Sequence, residues 1–408
     1  MRSRKLRPNS SRQQVRKRKY LESPPPQSSK RSKKTNQSPL PQEIIVEIFL
    51  NLPVRSLLRF RCLSKFCKSL VANPSFIKNH LEKAQNDPKF TRKRVLLYAS
   101  NAQKQIGFKS CSLNAIYKDP FINSVEAVDP STIKGYSLNN GIVVGSCNGL
   151  ICLHDIEDDN FFLLNPTLRV CKRLPRLRSQ KRPFSFYRVY GFGYDASVDD
   201  YKVVRILCDF CSIDTTIVWV YSLRTNCWRR IQGFSFGYLS SEAGKYVDGS
   251  LNWMQYVGGS SWNIVSFDLA HETYKEVPQP CCGDADGGCV KWLEVLDGCL
   301  CVHCSYRLRI DVWVMREYGN TQSWTKLLTI PYLSGPGFQV FPSSKSLSVS
   351  DEILLHSGAK LILYNPKEKT LRIPMLDEDA VSSISRAEIY AESLVSPKVI
   401  NHPTIEYY

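Results

Sequence analysis

Cysteine and histidine crowd two stretches of this 408-residue chain closely enough to suggest chemistry. The first runs from Cys281-Cys282 and Cys289 to Cys299-x-Cys301-x-x-Cys304 with His303, and thiolate with imidazole is the ligand chemistry of zinc. Its spacing matches no common finger, Cys281 to Cys289 is glycine-rich, and strand alternation puts Cys299 and Cys301 together on one face. These cysteines read as buried or incidental, and no metal is expected. The second stretch sets Cys152 beside His154-Asp155, the residue types of a cysteine nucleophile and its base. At the end of a strand-like repeat they read as structural.

No G-x-S-x-G, P-loop, G-x-G-x-x-G or H-E-x-x-H occurs, and the six histidines are scattered. The chain is therefore expected to be non-catalytic and to need no cofactor. Its function must lie in what its elements bind.

Charge separates those elements first. Of the net +18, residues 1–37 supply 13 Lys+Arg and one acid, hence +12; the other 42 basic and 36 acidic residues leave +6. The 1–37 segment is poor in apolar residues and rich in Ser, Gln, Pro, Lys and Arg, the composition of a disordered tail. In it Arg16-Lys17-Arg18-Lys19 and Lys30-Arg31-Ser32-Lys33-Lys34 flank a ten-residue spacer, the layout of a bipartite nuclear-localisation signal for an import receptor. The expected location is the nucleus, with the cytoplasm second. Nucleic-acid binding is not expected, because no aromatic residues are interleaved with these charges and no folded nucleic-acid module accompanies them.

No run approaches the roughly 18 apolar residues of a membrane span, and the basic N-terminus lacks the apolar core of a signal peptide. The fifteen cysteines are odd in number and irregular in spacing, which fits thiols of a reducing compartment rather than a disulfide framework.

Residues 40–71 carry more apolar surface than so short a segment can bury alone. Pro41 suits a first helical turn, and Ile44, Ile45, Ile48, Phe49 and Leu52 follow at helical spacing. Pro53 starts a second helix with Val54, Leu57 and Leu58 opposite Arg55, Arg59 and Arg61; Leu63, Phe66, Cys67, Leu70 and Val71 mark a third. A connecting helix follows from Phe76 to about Lys89.

From Arg94 onward, short Val/Ile/Leu/Tyr/Phe runs alternate with Gly, Asn, Asp and Pro, the pattern of many short strands. A repeat emerges when the runs are stacked: Phe161–Thr167 leading to Leu174-Pro175, Val218–Thr225 to Trp228, Ile264–Leu269 to Val277-Pro278, Val312–Met315 to Trp324, and Leu361–Pro366 to Ile373-Pro374. The anchors Asn165, Ser222, Asp268 and Asn365 are 57, 46 and 97 residues apart, and a period near 50 with four strands per unit indicates propeller blades. Ala387–Leu394 is the expected closing strand against Val95–Tyr98.

Both regions resemble known families. Leu40-Pro41, Ile44-Ile45, Ile48-Phe49, Leu52-Pro53, Leu57-Leu58, Arg59-Phe60-Arg61-Cys62 and Ser64-Lys65 resemble the F-box motif, with Cys67 where many relatives have tryptophan. That resemblance implies docking on a Skp-family adaptor, and on a cullin through it, with Leu40, Pro41, Ile44, Ile45, Ile48, Leu52, Pro53 and Leu57 at the docking surface. Gly145–Leu150, Leu164–Thr167, Gly191–Asp195 and Asp199–Val204 are similar to the F-box-associated interaction domain of plant proteins.

The fold expected is α+β and multidomain: a basic tail over 1–37, a helical F-box and linker helix over 38–90, an all-β, propeller-like domain over 91–395, and a C-terminal tail over 396–408. The resemblance implies a substrate-recognition subunit of a Skp–cullin–F-box ubiquitin ligase that recruits an unidentified protein through its β domain. Trp262, after Gly258-Gly259-Ser260-Ser261, is read as a loop residue and a candidate substrate contact. The rival reading is a nuclear nucleic-acid-associated scaffold whose F-box no longer functions.

Overall fold

A computed structural model describes residues 40–87, 89, 91–100, 106–128, 141–177, 186–209, 216–234, 238–240, 242–258, 261–281, 289–331, 343–347, 352–357, 359–377 and 381–398. The chain divides into two units between Ile45 and Val46, within its first helix.

Four helices come first: α1 (Gln42–Leu50), α2 (Val54–Phe60), α3 (Lys65–Ala72) and α4 (Pro74–Gln85). Their boundaries follow from capping chemistry. Pro53 is the N-cap of α2; Ser64 Oγ accepts from Cys67 N at 3.0 Å to start α3; Asn73 Oδ1 accepts from Phe76 N at 3.2 Å, with Pro74 opening α4. Val54, Leu57, Val71, Phe76, Leu81 and Ala84 form the buried faces. Fully buried His80 donates from Nε2 to Leu52 O at 2.8 Å, and burial lowers the pKa of its ring.

The β domain is a six-bladed propeller. Each blade is an antiparallel meander from an inner to an outer strand. Blade 1 comprises Ser383–Ala391, Lys93–Ser100, Ile106–Ser112 and Glu126–Val128; blade 2, Gly141–Cys147, Leu150–Asp155, Asn160–Asn165 and Val170–Arg173. Blade 3 comprises Phe186–Asp195, Asp200–Asp209, Thr216–Ser222 and Cys227–Ile231. In blade 4, Lys245–Val247 and Tyr238–Leu239 both pair with Ser250–Gly258, which continues to Ser261–Asp268 and Tyr274–Val277. Blade 5 comprises Val290–Leu296, Cys299–Ser305, Arg309–Met315 and Trp324–Pro331; blade 6, Ser343–Leu347, Ile353–Ser357, Lys360–Asn365 and Thr370–Arg372. The inner strands touch one another in succession around a ring.

A single four-stranded sheet cannot bury both faces, so the apolar cores lie between blades. One cluster, for instance, joins Cys152, Phe161 and Leu163 of blade 2 to Phe192, Val203 and Tyr221 of blade 3; equivalent clusters fill the other junctions. Two junctions carry the same staple: Trp228 Nε1 donates to Pro175 O at 2.8 Å, and Trp324 Nε1 to Pro278 O at 2.7 Å. The recurring tryptophans and Leu-Pro or Val-Pro pairs of the sequence are the two halves of that contact.

Turn chemistry sets the register. Asn148-Gly149, Asp248-Gly249 and Asp297-Gly298 have positive φ at both residues, as two-residue hairpin turns between right-twisted strands require. Asp155, Asn165, Asp195, Ser222, Asp268 and Asn365 each end a strand, and the residue four places on has φ of 51–56°. In five of these turns the Asp or Asn Oδ1 accepts the backbone N–H two residues ahead, from 2.8 to 3.1 Å.

The ring closes through its ends. Lys93–Ser100 pairs antiparallel with Ser383–Ala391, Val95 opposite Ile389, so the last strand among the described residues is the innermost strand of blade 1.

Candidate docking surfaces

Leu40, just ahead of α1, and Ile44 and Ile48 within it are 48, 49 and 47% exposed, while Phe49 and Leu50 are buried. Ile44 and Ile48 lie four residues apart in one helix, which is the spacing of a continuous stripe. Pro41 and Pro53 are exposed, and Ile45 and Leu52 half-buried. Leu57 differs from the expectation: it is fully buried with Val54, three residues away on α2, so it packs the helices and presents nothing to a partner. Leu63, 70% exposed, was absent from the expected surface. Sequence periodicity assigned it to the third helix, but it lies in the turn before the Ser64 cap. Cys67 is half-buried on α3.

The last residue of α1, together with α2 and α4, is fastened to one end of the propeller. Arg92 Nη2 donates to Leu50 O and Gln85 Nε2 to Asn148 Oδ1, both at 3.0 Å, and Arg55 pairs with Glu126. Behind Glu126, Arg94 lies 3.8 Å from it and 3.6 Å from Glu392, and donates to Ser110 Oγ at 2.9 Å. Burial raises the Glu392 carboxyl's pKa against the pull of Arg94 and Arg55. Asn148, Arg92 and Glu126 stand where first strands turn into second strands or fourth strands begin. The second-to-third turns and blade-to-blade connections lie at the opposite end, where Ile156, Tyr256, Val257, Val290 and Leu308 are exposed.

The axial cavity, about 610 Å³, is lined by the inner strands and carries charges of both signs. Lys245 pairs with Glu294 at 3.0 Å, and Ser146 Oγ donates to Glu388 at 2.8 Å. Burial would lower the Lys245 pKa, but Glu294, Glu242 and Glu388 raise it overall. A nucleophilic lysine is moved the other way.

The remaining candidates resolve into packing. Trp262 is not in a loop: it is the second residue of Ser261–Asp268, 6% exposed, in the core between blades 4 and 5, with Lys291 Nζ 5.5 Å from its ring centre. Cys299 and Cys301 face the blade 5–6 core and Cys304 the blade 4–5 core, so the sheet separates them; among the described residues no cluster of three metal-ligating side chains occurs. Cys281 is exposed and Cys289 half-buried, while Cys282 lies outside the described residues. His303 stacks on Trp292, ring planes 3° apart. Burial raises the pKa of the Cys152 thiol far above the usual range, and His154 hydrogen-bonds Asp159 at 2.9 Å rather than serving that thiol. The basic clusters Arg16–Lys19 and Lys30–Lys34 lie outside the described residues.

Comparison with known proteins agrees with this architecture. Residues 38–79 match the F-box domain family and 101–397 the F-box associated beta propeller domain family. The F-box/kelch-repeat protein At3g23880 of Arabidopsis thaliana is 34% identical over 88% of this chain and 96% of its own length. F-box protein CPR1 of the same plant is 32% identical over 87% of this chain and 88% of its own. No helix among the described residues is long and apolar enough to cross a membrane.

Proposed function

We propose a function from one premise: this chain belongs to the F-box proteins that carry an F-box-associated β-propeller domain. It acts as the substrate-recognition subunit of a Skp–cullin–F-box ubiquitin ligase. The F-box helices dock on a Skp-family adaptor, the adaptor bridges to the cullin, and the propeller holds a protein to be ubiquitylated. The chemistry belongs to other subunits; this chain raises the effective concentration of a substrate lysine near them.

The observation that carries this reading is the exposed Ile48 on α1, in a helical module fastened to one end of a propeller, with Ile156, Tyr256, Val257, Val290 and Leu308 exposed at the other end. Two or three such side chains buried at ~1.5–3 kcal/mol each would supply several kcal/mol of gross binding energy. Fixed helices would also hold the substrate end at a constant distance from the adaptor.

Co-purification of the full chain with a Skp-family adaptor, beside Ile44→Asp/Ile48→Asp, tests it. A stoichiometric complex that the variant loses is the expected result; a folded chain that forms no complex sinks the reading. The basic tail is proposed to direct the protein to the nucleus through an import receptor. A fluorescent fusion that stays nuclear after Lys30, Arg31, Lys33 and Lys34 are replaced by Ala would overturn that part.

A further inference from the structure

The +6 charge outside the tail is not spread evenly. Between Phe161 and Tyr194 there are eight Lys and Arg and no Asp or Glu. Several of these cations converge on the corner where the second-to-third turn of blade 2 meets blade 3, at the propeller end opposite the F-box helices.

The corner is built around Asp159 and Asn160. Asn160 Oδ1 accepts from Arg173 Nη2 at 2.8 Å and from Arg176 Nε at 3.0 Å, so two guanidinium groups already share one oxygen. Asp159 takes His154 on one oxygen and Arg205 of blade 3 on the other, both at 2.9 Å. Arg188, on the first strand of blade 3, is exposed and adds its field to the same carboxylate. Asn160 and Arg205 are each 1% exposed, yet Asn160 Nδ2 and Arg205 Nε have no hydrogen-bond partner among the described residues. Buried donors without acceptors are costly, and Asn160 Nδ2 and Arg205 Nε are both donors, so this corner has more donors than the described residues satisfy.

We propose that the blade 2–3 corner binds a single anionic group, a carboxylate or a phosphate ester, carried by the protein that the chain recruits. The inference rests on the substrate-recruitment reading and gives that substrate a chemical class. Forked guanidinium groups recognise planar carboxylates and phosphates. Glu157 and Asp158 border the corner and would repel a continuous polyanion such as a nucleic-acid backbone, whereas one anionic side chain need not pass them. Ile156, half exposed between Asp155 and Glu157, offers an apolar neighbour for the rest of that segment.

The test uses the full chain in complex with its adaptor, as wild type, Arg173→Gln/Arg176→Gln and Arg188→Gln. The Arg188 side chain makes no hydrogen bond among the described residues, so its variant removes a charge and leaves the strand pairing of the corner in place. The tail is identical in all three, so its binding cancels in the comparison. Hexaglutamate, a phosphoserine hexapeptide, inorganic phosphate and a DNA duplex are titrated at matched ionic strength. The expected result is that a peptide binds more tightly than inorganic phosphate, and that the double variant weakens it by about tenfold or more, the size of a lost charge-assisted hydrogen bond. Equal peptide affinity in all three proteins overturns the site. Arginine-dependent binding of phosphate alone overturns the protein source, and tighter arginine-dependent binding of the duplex overturns the class. Adaptor co-purification is read on the same samples: its loss counts against the ligase reading, whereas anion results with the adaptor bound concern the corner alone.

Discussion

The side-chain amide of Asn165 donates to Val395 O at 2.7 Å and Ser393 O at 3.1 Å, joining blade 2 to residues almost at the end of the chain. Its Oδ1 meanwhile accepts from Thr167 N and Leu168 N, so one fully buried side chain shapes a turn and latches the ring. Asn165→Ala leaves buried carbonyls unpaired and is expected to cost about 2–4 kcal/mol, more than one hydrogen bond. Urea denaturation of the full chain measures it, and a loss under about 0.5 kcal/mol would remove Asn165 from the closure.

Gly149 and Gly249 occupy equivalent turns with φ of +79° and +74°. A Cβ on Gly149 would lie 2.4 Å from Ser393 Oγ and 2.6 Å from Ala391 O, whereas one on Gly249 meets nothing within 4 Å. Gly249→Ala should therefore cost only the strain of a left-handed residue, about 1 kcal/mol, and Gly149→Ala clearly more. Equal losses would mean that the C-terminal residues do not press on that turn.

Ile48 and Leu57 separate docking from folding. Ile48→Asp is expected to abolish the adaptor complex while shifting stability by less than about 1 kcal/mol. Leu57→Ala should cost about 2–5 kcal/mol because it opens a cavity among α2–α4. Thermal unfolding with adaptor co-purification reads both, and an Ile48→Asp chain that still binds would remove α1 from the interface.

Asp159 gives the propeller an acid-sensitive contact. Burial pushes its carboxyl's pKa up, but the His154 hydrogen bond and the charges of Arg205 and Arg188 hold it lower, at about 2 against 3.8. A depressed carboxyl stabilises the fold above its unfolded pKa, and that contribution disappears as pH falls from about 4 towards 2. With its side chain one-third exposed, the discounted contribution is on the order of 1 kcal/mol. Asp159→Asn should flatten that part of the stability–pH curve, and an unchanged acid limb would refute the assignment.

Thiol labelling tests the cysteine assignment. Cys62, Cys227 and Cys281 are exposed and should react within minutes. Burial pushes the Cys111 thiol up to about 12 and raises Cys152 and Cys301 too, so these three should react only on unfolding. Fast labelling of Cys301 in the folded chain would show that the blade 5–6 core opens.

The repeat was legible because its anchors obey local rules. Asn-Gly and Asp-Gly pairs dictate hairpins on their own, and Asn165, Asp268 and Asn365 shape turns with their own side chains. The buried side of α2 was less legible, since Val54, Leu57 and Leu58 share one apolar stripe and only tertiary packing decides which residue is covered. Trp262 misled because Gly258 and Ser261 are already paired across two adjacent strands, which places the residue after Ser261 inside the sheet. The blade 2–3 corner was hidden because Arg205 is separated from Asp159 by three intervening strands, and neither residue's neighbours in sequence announce the contact.

Closure by the last strand also makes the order of synthesis matter. Lys93–Ser100 leaves the ribosome 290 residues ahead of its partner Ser383–Ala391, an interval of about 15–60 s at ~5–20 residues per second. Throughout that time the nascent blade 1 has an unpaired edge, the kind that invites aggregation unless chaperones cover it. On the proposed function, a chain cut short before Ser383 would still present its F-box helices to the adaptor beneath a ring that never shuts. Such a product would compete with the intact protein for ligase while delivering nothing to it.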